Sequence, residues 1–193
     1  MTRTTREQLI DIGLRLIHKN GYTATGVKQI LDAAGIPKGS FYHHFSSKEE
    51  FAKAVLQQFA SREAERWDTL LKNEKIAPLK RLRLYFEELI TVFGQTSRIP
   101  GCLLGNLSLE VAAHIPSIQS LLSKSFAHWQ EAVAAVLRSA VMRKELPRST
   151  NPVALASFLL NSWEGALIRS KAEKSNEPLN GFMRFVFDKI LNH

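Results

Sequence analysis

Between Gly35 and Glu50 the chain reads GIPKGSFYHHFSSKEE, a stretch whose residue types suit recognition of a polyanion rather than bond-making chemistry. Lys38 and Lys48 are point charges for phosphate oxygens. Ser40 and Tyr42 carry hydroxyls that bond phosphates or base edges, and His43 can bond a base acceptor. Gly39 has no side chain to keep the backbone away from a sugar-phosphate wall. His43 and His44 are adjacent, so on a helix they diverge by about 100° and make a poor metal pair. Each residue also has an ordinary reading: Tyr42 and the histidines as solvated or packed side chains, Lys48 as a surface charge. The order of the surrounding elements separates the two readings.

Such residues read a surface only if a helix presents them. At about 100° per residue, Phe41 and Phe45 fall on one side of a short helix, Gly39, Ser40 and His43 roughly opposite, and Tyr42 on the flank. A helix this short is not stable alone and must dock on its neighbours. Those neighbours are legible. Thr4 and Thr5, with Glu7 and Gln8 three residues on, predict a capping-box start, followed by Leu9, Ile12, Leu16 and Ile17 at helical spacing up to Asn20-Gly21. Thr25 is expected to cap a second helix with Val27, Ile30, Leu31 and Ala34 on one face and Gly35 as its left-handed stop. Pro37 stands where a third helix begins, and Ser46 with Glu49, or Ser47 with Glu50, caps a longer fourth. The sequence thus predicts a helix-turn-helix whose second helix offers its N-terminal residues to the major groove. Further breaks fall at Pro78, at residues 98–101, at Pro116, at residues 147–152 and at Pro178, with helical periods between them. The expected fold class is all-α, about nine helices and no sheet.

The chain of 193 residues has 26 Lys and Arg against 18 Asp and Glu, a net charge of +8. That surplus suits a polyanionic partner but does not locate it. No apolar run approaches a membrane span and the N-terminus has no apolar segment of the secretory kind, so a cytoplasmic protein is expected. The single cysteine, Cys102, excludes an intrachain disulfide. There is no GxSxG elbow, no HExxH and no glycine-rich phosphate loop, and His18, His114, His128 and His193 are scattered. Neither catalysis nor a cofactor or metal is expected.

Residues 5 to 51, above all GYTATGVKQILDAAGIPKGSFYHHFSSKEEF, resemble the DNA-binding domain of the TetR/AcrR family of bacterial transcriptional regulators. The resemblance implies a three-helix module for operator DNA, here residues 1–46, and a helical effector-binding and dimerisation domain, here residues 47–193. It implies phosphate contacts at Thr25 and Gly26, a recognition helix carrying Lys38, Gly39, Ser40, Tyr42 and His43, and a phosphate contact at Lys48. Many members open the second helix with two hydroxyl residues; Gly26 departs from that and removes one hydroxyl. PGCLLGNLSLE and SFLLNSWEGALIRSKAEKSNEPL are similar, more loosely, to a branch of the family, the NemR and AcuR type, some of whose members answer to electrophiles, oxidants or small unsaturated acids.

The residues themselves extend these expectations. Leu155, Phe158, Leu159 and Leu167 form a stripe, and Phe182, Met183, Phe185, Val186, Phe187, Ile190 and Leu191 nearly encircle the last helix. A helix apolar all round is buried on both sides, which points to a homodimer through the last two helices, about residues 152–192. Aromatic or polar residues inside otherwise apolar helices, Phe86, Phe93, Asn106, Trp129, Asn161, Trp163 and Glu164, are candidates for a small-molecule effector pocket, or else core and dimer contacts. Cys102 follows a Pro-Gly break and has two readings. A helix N-terminus and nearby Arg98 would favour a reactive thiolate, whereas a buried cysteine packs as a small hydrophobe. The function expected is a ligand-responsive repressor of a palindromic operator in double-stranded DNA; the alternative is an architectural DNA-binding protein without an effector, marked by weak sequence preference and salt-dominated binding.

Overall fold

The computed structural model describes residues 4–37, 39–94 and 101–192, the side chains of residues 68, 93 and 94 excepted. Nine α-helices and no strand occur among the described residues. Two compact units share the chain: residues 1–63 with 103–125, and residues 64–102 with 126–193. The functional boundary expected at residue 46 therefore falls inside the first unit rather than at its edge.

In the first unit, α1 (Thr5–Asn20) begins with a complete capping box in which Thr4 accepts from the Glu7 amide while the Glu7 side chain accepts from the Thr4 amide. Leu9, Ile10, Ile12, Leu14 and Ile17 are buried on its inner side. Then α2 (Val27–Ala34) ends at Gly35, whose φ of +65° is left-handed, with the Gly35 and Ile36 amides donating to the carbonyls of Asp32 and Leu31. This is a Schellman-type stop, which turns the chain into α3 (Gly39–His44) within a few residues. Gln8 of α1 donates to the Ala34 carbonyl at 3.1 Å, tying the turn to the first helix. Of the two expected starts for α4 (Lys48–Leu70), the structure uses Ser47, whose hydroxyl accepts from the Glu50 amide at 3.1 Å. The unit is completed by α6 (Leu103–Val111) and the beginning of α7 (Pro116–Met142).

One cap differs from expectation. Thr25 does not cap α2: the N-cap is Gly26, with no side-chain bond to the first turn. The Thr25 hydroxyl instead donates backward to the Gly21 carbonyl at 2.6 Å, and the residue is 0 % exposed. The loop bends so tightly between α1 and α2 that this hydroxyl closes the turn behind it rather than the helix ahead.

The second unit holds the rest of α4 and α7, with α5 (Pro78–Gly94), α8 (Pro152–Glu173) and α9 (Glu177–Phe185). Proline opens α5, α7 and α8 at positions where no amide donor is needed, and Asn151 caps α8 by accepting from the amides of Val153 and Ala154. The apolar girth expected in the last helix is divided: α9 passes into a π-helical turn, Val186–Ile190, and Phe182, Met183, Val186, Phe187 and Leu191 are buried while Phe185 is exposed. Phe86, Trp163 and Phe182 pack with ring centroids 5.0 to 5.4 Å apart and form the aromatic centre of this unit. Among the described residues no helix is long and apolar enough to cross a membrane.

Candidate functional site

The surface predicted from GSFYHH is present on α3. Phe41 is 0 % exposed and Phe45 4 %, and they pack on Phe51 of α4 with centroids 5.3 and 5.0 Å away. With that face held, Gly39, Tyr42 and His43 are exposed, Tyr42 to 62 %, and Ser40 is half-buried. A Cβ placed on Gly39 or on Gly26 would meet nothing within 4 Å, so both backbones lie open to an incoming ligand. The uncapped amides at the start of α2 carry the positive end of the helix dipole, which suits a phosphate. Arg6 of α1 lies over the Phe45 ring at 5.2 Å, a cation beside the end of α3 that motif reading did not single out.

Two expected contacts take a different form. Thr25 has its hydroxyl buried and spent on Gly21, which corrects its expected role as a hydroxyl donor at the head of α2. Lys48 is half-buried, with its ammonium 4.4 Å from the centroid of the Tyr22 ring and donating to the Thr23 carbonyl at 3.3 Å. Burial holds its pKa below the ordinary lysine value, against a smaller opposing pull from Glu110. Lys38 lies outside the described residues.

The effector candidates fall in several environments. Phe86 and Trp163 are fully buried in the aromatic centre. Trp129 is buried and stacks on Phe126, and its indole N–H, like that of Trp163, has no hydrogen-bond partner. Asn106 is half-buried on α6 in the first unit. Asn161 is exposed, on the outer phase of α8, where of the expected alternatives it suits a dimer contact rather than a pocket wall. Arg98 and the Phe93 side chain lie outside the described residues. Cys102 is buried immediately ahead of α6, and its thiol bonds the Glu164 carboxyl. Burial raises the pKa of Glu164 to about 6, with the Cys102 bond pulling the other way.

A cavity of about 570 Å³ opens elsewhere in the second unit, lined by Trp67, Leu71, Arg81, His128, Val136 and Ser139 among others. Arg81 is 4 % exposed, donates to the Leu71 carbonyl at 2.9 Å and to the Ser139 hydroxyl at 3.3 Å, and leaves its Nε–H unpartnered. The sequence carried no distinct signal for it, since Arg81 stands among Lys80 and Arg83 in the basic start of α5. Chemically this wall combines aromatic surface with a buried guanidinium, and Lys72, Glu74 and Glu131 also line it, so it suits a ligand with a polar group.

The geometry defines a class: a helix-turn-helix reader at the N-terminus of an all-helical chain. Residues 9–55 match the bacterial regulatory proteins of the tetR family, and residues 78–186 match the tetracyclin repressor-like C-terminal domain. The chain belongs to the TetR family. It is 36% identical over 193 residues to the HTH-type transcriptional repressor DhaR of Mycobacterium sp. (strain GP1), covering 99% of this chain and 95% of that one. It is 31% identical over 182 residues to the HTH-type transcriptional repressor NemR of Escherichia coli (strain K12), covering 94% and 92%. The crystal structure of a regulatory protein TetR from Rhodobacter sphaeroides superposes with a TM-score of 0.88 at 35% identity, covering 94% of this chain and 96% of that one.

Proposed function

We propose that the chain is a DNA-binding transcriptional repressor that leaves a palindromic operator when a small-molecule or electrophilic effector binds its helical domain. The observation that carries the reading is the exposed face of α3: Gly39, Tyr42 and His43 stand free because Phe41 and Phe45 are buried behind them. The Gly26 end of α2 supplies amides to phosphate, and Lys38 and Lys48 supply charge on either side of the recognition helix. The names of DhaR and NemR support repression as the sign of regulation. A homodimer through α8 and α9 would set two recognition helices one turn of DNA apart, about 34 to 36 Å. The effector reading rests on the Arg81 cavity and on the buried Cys102–Glu164 pair, which an electrophile would have to reach.

The test is binding of the purified protein to the DNA immediately upstream of its own gene, at near-physiological salt, against random DNA of equal length. A tight, specific, dimer-sized complex is expected. Equal and salt-sensitive binding to both, with no site enriched by selection from a random pool, would refute the repressor reading in favour of the architectural one.

A further inference from the structure

Glu110 plays no part in the surface described above, yet its carboxylate binds the turn that leads into α2. It lies on α6 and reaches the turn between α1 and α2, where Oε2 accepts from the Tyr22 amide at 2.8 Å and Oε1 from the Thr23 amide at 2.6 Å. Two amides converging on one carboxylate form a charge-assisted fork, stronger and more directional than a neutral pair. The residue before them, Gly21, has φ +88°, and a Cβ there would stand 2.8 Å from Oε2. The turn is thus built around the carboxylate.

The same group faces Lys48. The Lys48 ammonium lies over the Tyr22 ring and donates to the carbonyl of Thr23, the residue whose amide Glu110 binds. The two amide bonds, a hydrogen bond from the Thr23 side chain and the smaller pull of the Lys48 charge together outweigh burial, so the Glu110 carboxyl sits below its ordinary range and is ionised at neutral pH. Beside it, the Ser117 hydroxyl at the start of α7 donates to Glu49 in the first turn of α4 at 2.5 Å. Through the turn, Glu110 meets both places where phosphate is expected. Beyond Thr23 the chain passes to Thr25, which bonds Gly21, and to Gly26, which opens α2. On the other side stands Lys48, which opens α4.

We propose that Glu110 is a positioning residue for DNA binding: its carboxylate fixes the 21–25 turn, and with it the phosphate-facing start of α2 and the ammonium of Lys48. The proposal rests on the DNA-binding reading, and its test separates the two. Glu110→Gln keeps the shape but leaves one acceptor for two amides, and Glu110→Asp keeps the charge near Lys48 but shortens the reach. Two quantities are measured on the full chain: amide hydrogen exchange at Tyr22 and Thr23 in the free protein, and affinity for a sequence that the wild type selects from a random DNA pool, against random DNA of equal length. Both variants are expected to speed exchange at the two amides and to weaken binding to the selected sequence about tenfold, as loss of a charged hydrogen bond implies. Exchange in α5 and α8 stays unchanged, and affinity for random DNA falls as well, since the groups that Glu110 positions meet phosphate rather than bases. Faster exchange with full selected-site affinity would reduce Glu110 to a structural tie and overturn the proposal. So would unchanged exchange at the two amides, or a loss confined to the selected sequence with random DNA bound as before. If the wild type selects no sequence at all, the repressor reading itself fails, and the failure is visible before any variant is made.

Discussion

Tyr42 and His43 are available to a ligand because their neighbour Phe41 is not. At 62 % exposure Tyr42 has no packing task on its outer edge, so its replacement tests recognition rather than folding. Tyr42→Ala or His43→Ala is expected to cost about 1 to 3 kcal/mol on the selected operator and to relax preference at one base position, read by competition among single-base operator variants. Equal losses on operator and random DNA would instead mark a phosphate anchor. Glu164 gives a prediction of a different kind, because burial raises its pKa to about 6 despite the bond from Cys102. At acid pH the folded and unfolded chains both carry the proton and burial costs little. As pH rises, the unfolded chain ionises first, so stability falls until the folded carboxyl has also ionised, a loss on the order of 2 kcal/mol that is complete above about pH 6 to 7. Glu164→Gln should therefore raise the free energy of urea unfolding by that order at about pH 7.5 and leave it nearly unchanged at about pH 4. An equal gain at both values would contradict the burial account.

Among the helices, α3 is the one least able to stand alone. A single short turn of helix does not repay its own nucleation, so its order depends on Phe41, whose ring lies 5.3 to 5.5 Å from those of Phe45 and Phe51. Phe41→Ala is expected to destabilise the first unit by about 3 to 5 kcal/mol and to abolish specific DNA binding although Tyr42 and His43 are untouched. Urea unfolding followed in parallel with operator binding checks it. Retained stability with retained binding would mean that α3 is held by something other than this aromatic contact. The capping of α2 argues the same dependence on neighbours, since Thr25 turns its hydroxyl back to Gly21 and leaves the helix head without a side-chain partner. An uncapped head is tolerable where amides face solvent, and useful where they face phosphate.

For the complete chain, the outer face of α8 and α9 is the surface that folding leaves unfinished. Phe158 is 47 % and Phe185 60 % exposed, and both border a groove of about 520 Å³ that also takes in Gly165, Arg169 and Gly181. A Cβ on either glycine would meet nothing within 4 Å, so the backbone there is open to close approach. Exposed phenylalanines beside bare backbone suit a second copy of the same face, as a two-fold interface requires. Phe185→Asp is expected to shift the protein to a monomer in sedimentation equilibrium, with normal helicity, and to weaken binding to a palindromic site far more than to an isolated half-site. A variant that remains dimeric would place the interface elsewhere.

The helix boundaries were legible because their causes are local: the Thr4–Glu7 box, the left-handed Gly35, the Ser47 cap and the prolines opening α5, α7 and α8 each act within a few residues. The exposed face of α3 was legible for the same reason. One short helix carries it, and its buried and exposed phases follow from the 3.6-residue period alone. By contrast, the fork from Glu110 to Tyr22 and Thr23 joins residues nearly half the chain apart, and the Arg81 cavity draws its wall from three separate helices. Periodicity placed Asn161 among apolar neighbours, but only packing set the angle of α8 that turns it outward. Thr25 was equally suited to cap the helix ahead or close the turn behind, and the bend of the loop chose the second. The sequence by itself determined the helices, their order and which side chains of α3 face outward, because capping, breaking and amphipathic phase are short-range. Tertiary structure alone decided which polar groups are buried, which cavity forms and what holds the reader in place, because each depends on side chains that meet only after distant helices have packed.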